Sequence, residues 1–290
     1  MLSSDSTPLS LSTVRVKNPG DGPRVLLIHG NPGTLDDWSS LIPHLSFASE
    51  VVAFDLPGFG KSPPAARTDT AFTLAGLAKV ALSLADHMGW QRFDVIGHSH
   101  GAGVAQAMAW HSSQRIDHLL LLGSLGYPAH AAYRKMEIPG VPLAMSVLAA
   151  CLRLPGGRAW LKSMQRGLAS TAYFPEAVSA ERLERDVDTM MSAPRILPTM
   201  ARLALSKPCT DLAAHAATIG APTLFLHGSS DRLVPEQNAR AVHQLRIEAS
   251  RPSSFEVVSE AGHMLPLTHA EHVASRYREM ISSTLRRSGT

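Results

Sequence analysis

Short apolar runs, each closed by a Gly, Asp or Ser residue, constrain the fold of this chain more than any other feature. Six such runs occur along the 290 residues, and most are apolar at consecutive rather than alternate positions. Strands that are apolar on both faces are typical of a parallel sheet covered by helices on both sides. The six predicted strands are 24-RVLLIH, 51-VVAF, 92-RFDVIGH, 117-DHLLLLG, 222-PTLFLHG and 254-SFEVVS.

Helix-length stretches separate these runs. They cover residues 71–88, 101–111, 235–247 and 269–285. Strands that alternate with helices predict an α/β fold with a mostly parallel, doubly wound sheet.

The alternation is interrupted once, between residues 126 and 215. This segment contains no convincing strand, but it has several Ala-, Leu- and Met-rich helical stretches punctuated by Pro and Gly. Its apolar content is too high for a solvated linker. We therefore predict a core formed by residues 1–125 and 216–290, with residues 126–215 inserted as a helical subdomain.

Charge and cysteine content exclude several classes of function. The chain has 27 Lys and Arg against 24 Asp and Glu, and no run of basic residues, so we expect neither nucleic acid nor a membrane as a partner. The two cysteines are too few for a disulfide framework or a zinc cluster, and no metal or cofactor is expected.

No targeting or membrane-spanning segment is predicted. The N-terminal residues lack both a basic region and an apolar run of signal-peptide length, and the later apolar stretches fall short of the roughly 20 residues that a bilayer requires. We expect a cytoplasmic protein that acts on a small molecule. No oligomeric state is predicted.

A Gly-x-Ser-x-Gly motif, 97-GHSHG-101, joins the strand that ends at Ile96 to the small-residue helix 102-AGVAQAMAW. The motif alone is weak, because its residues are common and also occur in ordinary tight loops. A direct strand-to-helix turn makes it specific, since such a turn projects the central serine from the sheet beside a helix N-terminus. Ser99 is therefore a candidate nucleophile.

A base and an acid for this serine follow two later strands. Asp231 lies after the strand 222-PTLFLHG, and His263 lies after the strand 254-SFEVVS. Alone, Asp231 is typical of a turn or helix cap and His263 of a surface imidazole. Because the carboxyl ends of parallel strands share one edge of the sheet, we expect both beside Ser99 as a catalytic triad.

Stabilisation of an oxyanion needs preorganised donors near the serine. One expected donor is the backbone N–H of His100, which follows the nucleophile. The second expected donor is the backbone N–H of Asn31, within 29-HGNPG-33 after the first predicted strand. Taken alone, that segment is more typical of a plain Pro/Gly turn.

These motifs resemble those of the α/β-hydrolase superfamily, and the resemblance covers nearly the whole chain. The matching features are 29-HGNP, 55-DLPGFGKS, 97-GHSHG and the pair Asp231 and His263, in that order. The resemblance implies a cap after the sixth strand of the fold, at residues 126–215. Its apolar face would line the substrate pocket, with Met145, Trp160 and Met191 as candidate lining residues that control substrate size.

The serine narrows the reaction within the superfamily. Haloalkane dehalogenases and epoxide hydrolases carry Asp at the position of Ser99, so the resemblance disfavours those activities. Carbon–carbon bond hydrolases use Ser but typically carry Trp soon after the histidine, where this chain has 264-MLP-266. We expect hydrolysis of a carboxylic ester, lactone or thioester. The alternatives are a carbon–carbon bond hydrolase and a non-catalytic ligand-binding or signalling protein.

Overall fold

The structure is a computed structural model. It describes residues 10–64, 69–129, 131–136, 138–141, 143–144, 147, 156–192, 199, 202–203 and 205–288. Its centre is a seven-stranded sheet with the order β1-β3-β2-β4-β5-β6-β7. The strands are β1 (Thr13–Lys17), β2 (Arg24–Ile28), β3 (Glu50–Phe54), β4 (Phe93–His98), β5 (Ile116–Leu122), β6 (Thr223–Gly228) and β7 (Ser253–Val258).

Helices connect and cover these strands. They are α1 (Leu74–His87), α2 (His100–His111), α3 (Ala131–Met136), α4 (Gly157–Tyr173), α5 (Ala180–Ser192), α6 (Pro208–His215), α7 (Glu236–Glu248), α8 (Leu265–Thr268) and α9 (Ala270–Ser288). Short 3₁₀ turns include Leu35–Trp38 after β2 and Ile42–Leu45 before β3. The four helices predicted from the sequence correspond to α1, α2, α7 and α9.

All six predicted strands are present, and neighbours among them pair in parallel. The prediction missed β1, which pairs antiparallel with β3 at the edge of the sheet. Residues 13-TVRVK alternate apolar and polar side chains, and most are only partly buried. A strand of this kind lacks the continuous apolar run on which the prediction relied.

Two hydrophobic clusters lie on opposite faces of the sheet. One includes side chains of α1, α2, α6 and α7, among them Leu77, Met108 and Val242. The other joins the 3₁₀ turns and α9 to the sheet through Trp38 and Tyr277. The helices therefore cover both faces, as the consecutive apolar positions of the strands require.

The segment between β5 and β6 contains α3 to α6, and none of its described residues forms a strand. At its C-terminal end, α6 packs against α2 and α7 beside the sheet. We use the name cap helices for α4 and α5, which line the cavity above the sheet. Within the described part of the chain, no helix is both long and apolar enough to cross a membrane.

Candidate active site

Ser99 forms the sharp turn between β4 and α2. Its backbone has φ 52° and ψ −117°, a conformation that costs free energy for any residue with a Cβ atom. The surrounding structure holds it there, because the Ser99 N–H donates to the Leu122 carbonyl at 2.8 Å and the Ser99 carbonyl accepts from the Ala102 N–H at 3.1 Å. The turn places the serine at the carboxyl edge of the sheet.

The two glycines of the motif serve close backbone approach. A Cβ atom on Gly97 would lie 2.5 Å from the carbonyl oxygen of Gly101, and one on Gly101 would lie 2.1 Å from that of Ile28. Neither distance is possible for a real side chain. The strand, the turn and the start of α2 can therefore pack this tightly only with glycine at both positions.

Asp231 and His263 meet across their two loops. The Oδ2 atom of Asp231 lies 2.6 Å from Nδ1 of His263, while Oδ1 accepts the N–H groups of Leu233 and Val234, each at 2.9 Å. Burial alone would raise the pKa of Asp231, but attraction to His263 and hydrogen bonds from His227 and His263 lower it far below its usual range. The ionised carboxylate keeps the proton of the imidazole on Nδ1, which leaves Nε2 as an acceptor.

Gly123, which directly follows β5, makes room for the imidazole. It has φ 49°, and a Cβ atom there would lie 3.0 Å from Nδ1 of His263. The sequence analysis did not assign this glycine a role, although it closes the run 117-DHLLLLG. Its position shows that the end of β5 packs directly against the ring of His263.

Two further histidines at this edge are fixed in other roles. His29 accepts the Leu56 N–H on Nε2 at 2.8 Å, and burial lowers its pKa. Nε2 of His98 donates to the backbone carbonyl of His263 at 2.9 Å, and burial, reinforced by repulsion from His263, lowers the pKa of His98 to about 3. Both imidazoles are therefore neutral at physiological pH and support the loops of the site.

The two residues expected to supply oxyanion donors belong to two different elements at this edge of the sheet. Asn31 follows β2, and His100 is the first residue of α2. The Nδ2 group of Asn31 donates to the hydroxyl of Tyr133 at 3.4 Å, and this hydroxyl lies 2.9 Å from Nδ1 of His100. The tyrosine hydroxyl therefore hydrogen-bonds both to Asn31 and to the imidazole of His100. This chain of contacts links α3 to both residues.

Ser99, His263 and Asn31 line one cavity, which is open to solvent on one side. Its other walls come from the loop after β2 and from the cap helices α4 and α5. The cap side chains in the wall are those of Leu168, Ala169, Ala172, Tyr173, Arg185 and Asp186. Across the described residues, no group of three or more His, Cys, Asp or Glu side chains is arranged to hold a metal ion.

Comparison with known proteins identifies the family. The family model for the alpha/beta hydrolase fold matches residues 23–270. The chain belongs to the α/β-hydrolase family. This hydrolase is 28% identical over 259 residues to the 2-hydroxy-6-oxononadienedioate/2-hydroxy-6-oxononatrienedioate hydrolase 2 of Pseudomonas putida, covering 85% of this chain and 83% of the relative.

Two solved structures illustrate the range of proteins that share this fold. A lipase-like protein of Acinetobacter baumannii, whose structure is described as a putative lipase, superposes with a TM-score of 0.77 at 22% identity, over 99% of this chain and 93% of the other. A meta-cleavage product hydrolase of Pseudomonas fluorescens superposes with a TM-score of 0.73 at 19% identity, over 95% and 96%. At these identities the likeness establishes the fold alone.

The cap residues predicted to line the pocket of the hydrolase have different outcomes. Trp160 lies on α4 but is 51% exposed, and it is absent from the cavity wall. Met145 lies outside the described residues, and Met191 lies on α5, where its side chain is not described. The residues of α4 that line the wall are instead Leu168, Ala169, Ala172 and Tyr173.

The cavity of the hydrolase carries acidic groups that the sequence analysis missed. Among the described residues, Asp36, Asp37, Asp186 and Arg185 line it. Arg185 pairs with Glu181, and Asp186 pairs with Arg182. Burial, with a smaller contribution from Asp186, raises the pKa of Asp37 to about 8. Asp37 is therefore mostly uncharged at neutral pH and becomes an anion as the pH rises above about 8.

Proposed function

We propose that this hydrolase cleaves carboxylic esters of small, uncharged acyl groups through an acyl-enzyme on Ser99. The observation that carries the proposal is the contact between ionised Asp231 and Nδ1 of His263 beside the strained Ser99 turn, with Ser99 and His263 in one cavity wall. A binding protein has no need of a serine held at such a conformational cost next to an oriented imidazole.

The proposed reaction has two halves. Nε2 of His263 takes the Ser99 proton as Oγ bonds to the ester carbonyl carbon, and the carbonyl oxygen becomes an oxyanion. The imidazolium then gives this proton to the departing alcohol. In the second half, His263 takes a proton from water, whose oxygen attacks the acyl-enzyme, and returns it to Ser99 as the carboxylic acid leaves. Asp231 holds the ring in place throughout.

The oxyanion is proposed to lie between the backbone N–H groups of Asn31 and His100. Asn31 lines the same cavity as Ser99, and His100 is the first residue of α2, whose N-terminal dipole favours negative charge. Pro32, which follows Asn31, lines the same cavity and stiffens the loop. A lactone or thioester presents the same carbonyl to these groups, so the proposed chemistry extends to them.

A carbon–carbon bond hydrolase is the second candidate function, because the relatives described above include hydrolases of dienedioates and meta-cleavage products. A dienedioate carries two carboxylates, and their binding needs cationic partners. Among the described residues of the cavity wall, the cation Arg185 is already paired with Glu181. Of the three aspartates there, Asp186 is paired with Arg182 and Asp37 is mostly uncharged at neutral pH, so the described wall offers a dianion no unpaired cation. This balance of charge favours an uncharged substrate.

We expect p-nitrophenyl butyrate to be hydrolysed with a kcat/KM at least about 10-fold higher than its anionic analogue p-nitrophenyl hemisuccinate, because like charges in the cavity repel the anion. The preference should widen as the pH rises from 7 to 9, since Asp37 gains its charge near pH 8. Turnover of 2-hydroxy-6-oxononadienedioate should be negligible, as measured by the loss of absorbance of its chromophore.

The variant Asp37→Asn should keep the preference constant across this pH range. A matched control is Asp188→Asn, which removes an exposed carboxylate of α5 that pairs with Lys162 outside the cavity. In this control, the preference for the uncharged ester should still increase as the pH rises. Faster turnover of the dienedioate than of either ester would reject ester hydrolysis in favour of carbon–carbon cleavage, and no turnover of any compound would favour a binding protein.

Replacement of Asp231 with Asn should lower kcat by about 10⁴-fold, as in serine proteases, because the amide stabilises the wrong imidazole tautomer. Two other acids serve as controls. Asp117→Asn breaks an exposed pair with Arg92, and Glu260→Gln alters an exposed side chain close to His263 in sequence. Both should stay within a few-fold of the wild type in ester kinetics. If kcat fell strongly in either control and only slightly in Asp231→Asn, a carboxylate other than Asp231 would orient the catalytic histidine.

A further inference from the structure

The C-terminal end of the cap helix α4 is in direct contact with the loop that carries His263. The backbone N–H of His263 donates to the carbonyl of Ala172, in the last turn of α4, at 3.0 Å. Carbonyl groups at a helix C-terminus have no partner within the helix, so this bond satisfies one of them. We call residues 172–176 the α4 end segment.

Gly262 allows the α4 end segment to approach this closely. A Cβ atom on Gly262 would lie 2.1 Å from the carbonyl oxygen of Phe174 and 3.1 Å from that of Ala172. Gly262 has no positive φ, so its role is close approach rather than unusual backbone conformation. The residue before the proposed base is therefore a glycine because the cap backbone occupies the space of a side chain.

Glu176 fastens the same loop with its side chain. Its Oε1 atom accepts the N–H of Gly262 at 3.3 Å and lies 3.2 Å from Nδ1 of His269, at the start of α9. Its Oε2 atom is buried and has no hydrogen-bond partner among the described residues. Burying part of a carboxylate without a partner costs free energy. A buried oxygen of this kind is therefore a feature that needs a physical explanation.

The loop that carries Asp231 touches the α4 end segment as well. The guanidinium of Arg232 lies over the ring of Phe174, 3.1 Å from its centroid. Cation–π contacts of this kind contribute about 0.5–1 kcal/mol at exposed sites. The segment therefore contacts both loops whose side chains form the Asp231–His263 pair.

We propose that Glu176 is a positioning residue, which holds the loop of His263 against α4 so that the imidazole meets Ser99 in the reactive geometry. This inference rests on the proposed role of His263 as the base. Displacement of a catalytic group by about 1 Å can lower a rate by about 100-fold, so a loop without this anchor turns over slowly even when its side chains are intact. Since α4 also forms a wall of the cavity, the anchor ties the position of the cap to that of the base.

Glu176→Ala should lower kcat for p-nitrophenyl butyrate by about 10-fold, the equivalent of one lost hydrogen bond to a charged group. KM should change less than about 2-fold, since Glu176 does not line the cavity and uniform binding is unaffected. The amide hydrogens of Gly262 and His263 should exchange faster with solvent in this variant, as measured by hydrogen exchange. Glu176→Gln, which keeps an acceptor oxygen for Gly262, should restore most of both properties.

Glu184→Ala is the matched control. Glu184 is a glutamate of α5 that pairs with Lys162 and Arg166 of α4, far from any contact with the His263 loop. It should leave kcat and the exchange of the two amides unchanged. Unchanged kcat or unchanged exchange in Glu176→Ala would overturn the positioning role, as would an equal effect in Glu184→Ala. If the wild-type protein hydrolyses no ester, the proposed function fails, while the exchange measurement still decides whether Glu176 anchors the loop.

Discussion

Replacement of Ser99 with alanine should lower kcat for ester hydrolysis by about 10⁶-fold, because without Oγ no acyl-enzyme can form and only bound water remains as a nucleophile. The fold and ligand binding should persist, since the backbone of Ser99 makes the hydrogen bonds that hold the turn. The measurements are steady-state kinetics on p-nitrophenyl butyrate, and mass spectrometry of the wild type after treatment with an organophosphonate, which should label Ser99.

Ser112→Ala is the matched control for this loss, because Ser112 follows the opposite end of the same helix, α2. It should retain wild-type turnover and phosphonate labelling. Labelling at another residue, or turnover that survives in Ser99→Ala, would show that the chemistry lies elsewhere in the protein.

The elements that bury apolar side chains on both faces could be predicted from the sequence. For β2, β5 and β6, a run of consecutive apolar residues favours a central parallel strand, because an edge position or a solvent-facing side would expose part of the run to water. The edge strand β1 follows no such rule, since its pairing depends on a neighbour, β3, that is distant in sequence.

The Ser99 turn and the Asp231–His263 pair could also be predicted from the sequence. Each lies directly after a strand, and parallel strands bring their carboxyl ends to one edge whatever the details of packing. The part of the site formed by α4 and α5 could not be predicted from the sequence, because the order of residues along a helix does not show which face of the helix lies toward the cavity. For this reason exposed Trp160 was predicted as a pocket residue, whereas Tyr173 and Asp186 were not.

Two glycines of the site also show what could not be predicted from the sequence. Gly262 makes room for the backbone of Phe174. Gly123 makes room for the ring of His263. In both positions the constraint comes from a segment distant in sequence, so the sequence shows that a side chain is absent without showing which atoms occupy its space.

Replacement of His263 with alanine should remove activity nearly as completely as Ser99→Ala, by about 10⁶-fold in kcat, because the serine hydroxyl is a poor nucleophile without a base. The double variant should be little worse than either single variant, since the two side chains act as one unit. Added imidazole should restore part of the turnover in His263→Ala, where it can enter the vacated space as a base. It should restore none in Ser99→Ala, which lacks the nucleophile.

His98→Asn and His100→Asn distinguish this base from its neighbours. An asparagine amide can replace the imidazole of His98 as a donor to the His263 carbonyl. It can also replace the imidazole of His100 as the hydrogen-bond partner of the Tyr133 hydroxyl, since an amide both donates and accepts. Both variants should therefore keep most of the wild-type kcat, because the proposed mechanism uses only the backbone N–H of His100 and no proton transfer by His98. An inactive His100→Asn together with an active His263→Ala would assign the base to α2. In that case the contact between Asp231 and His263 would be structural.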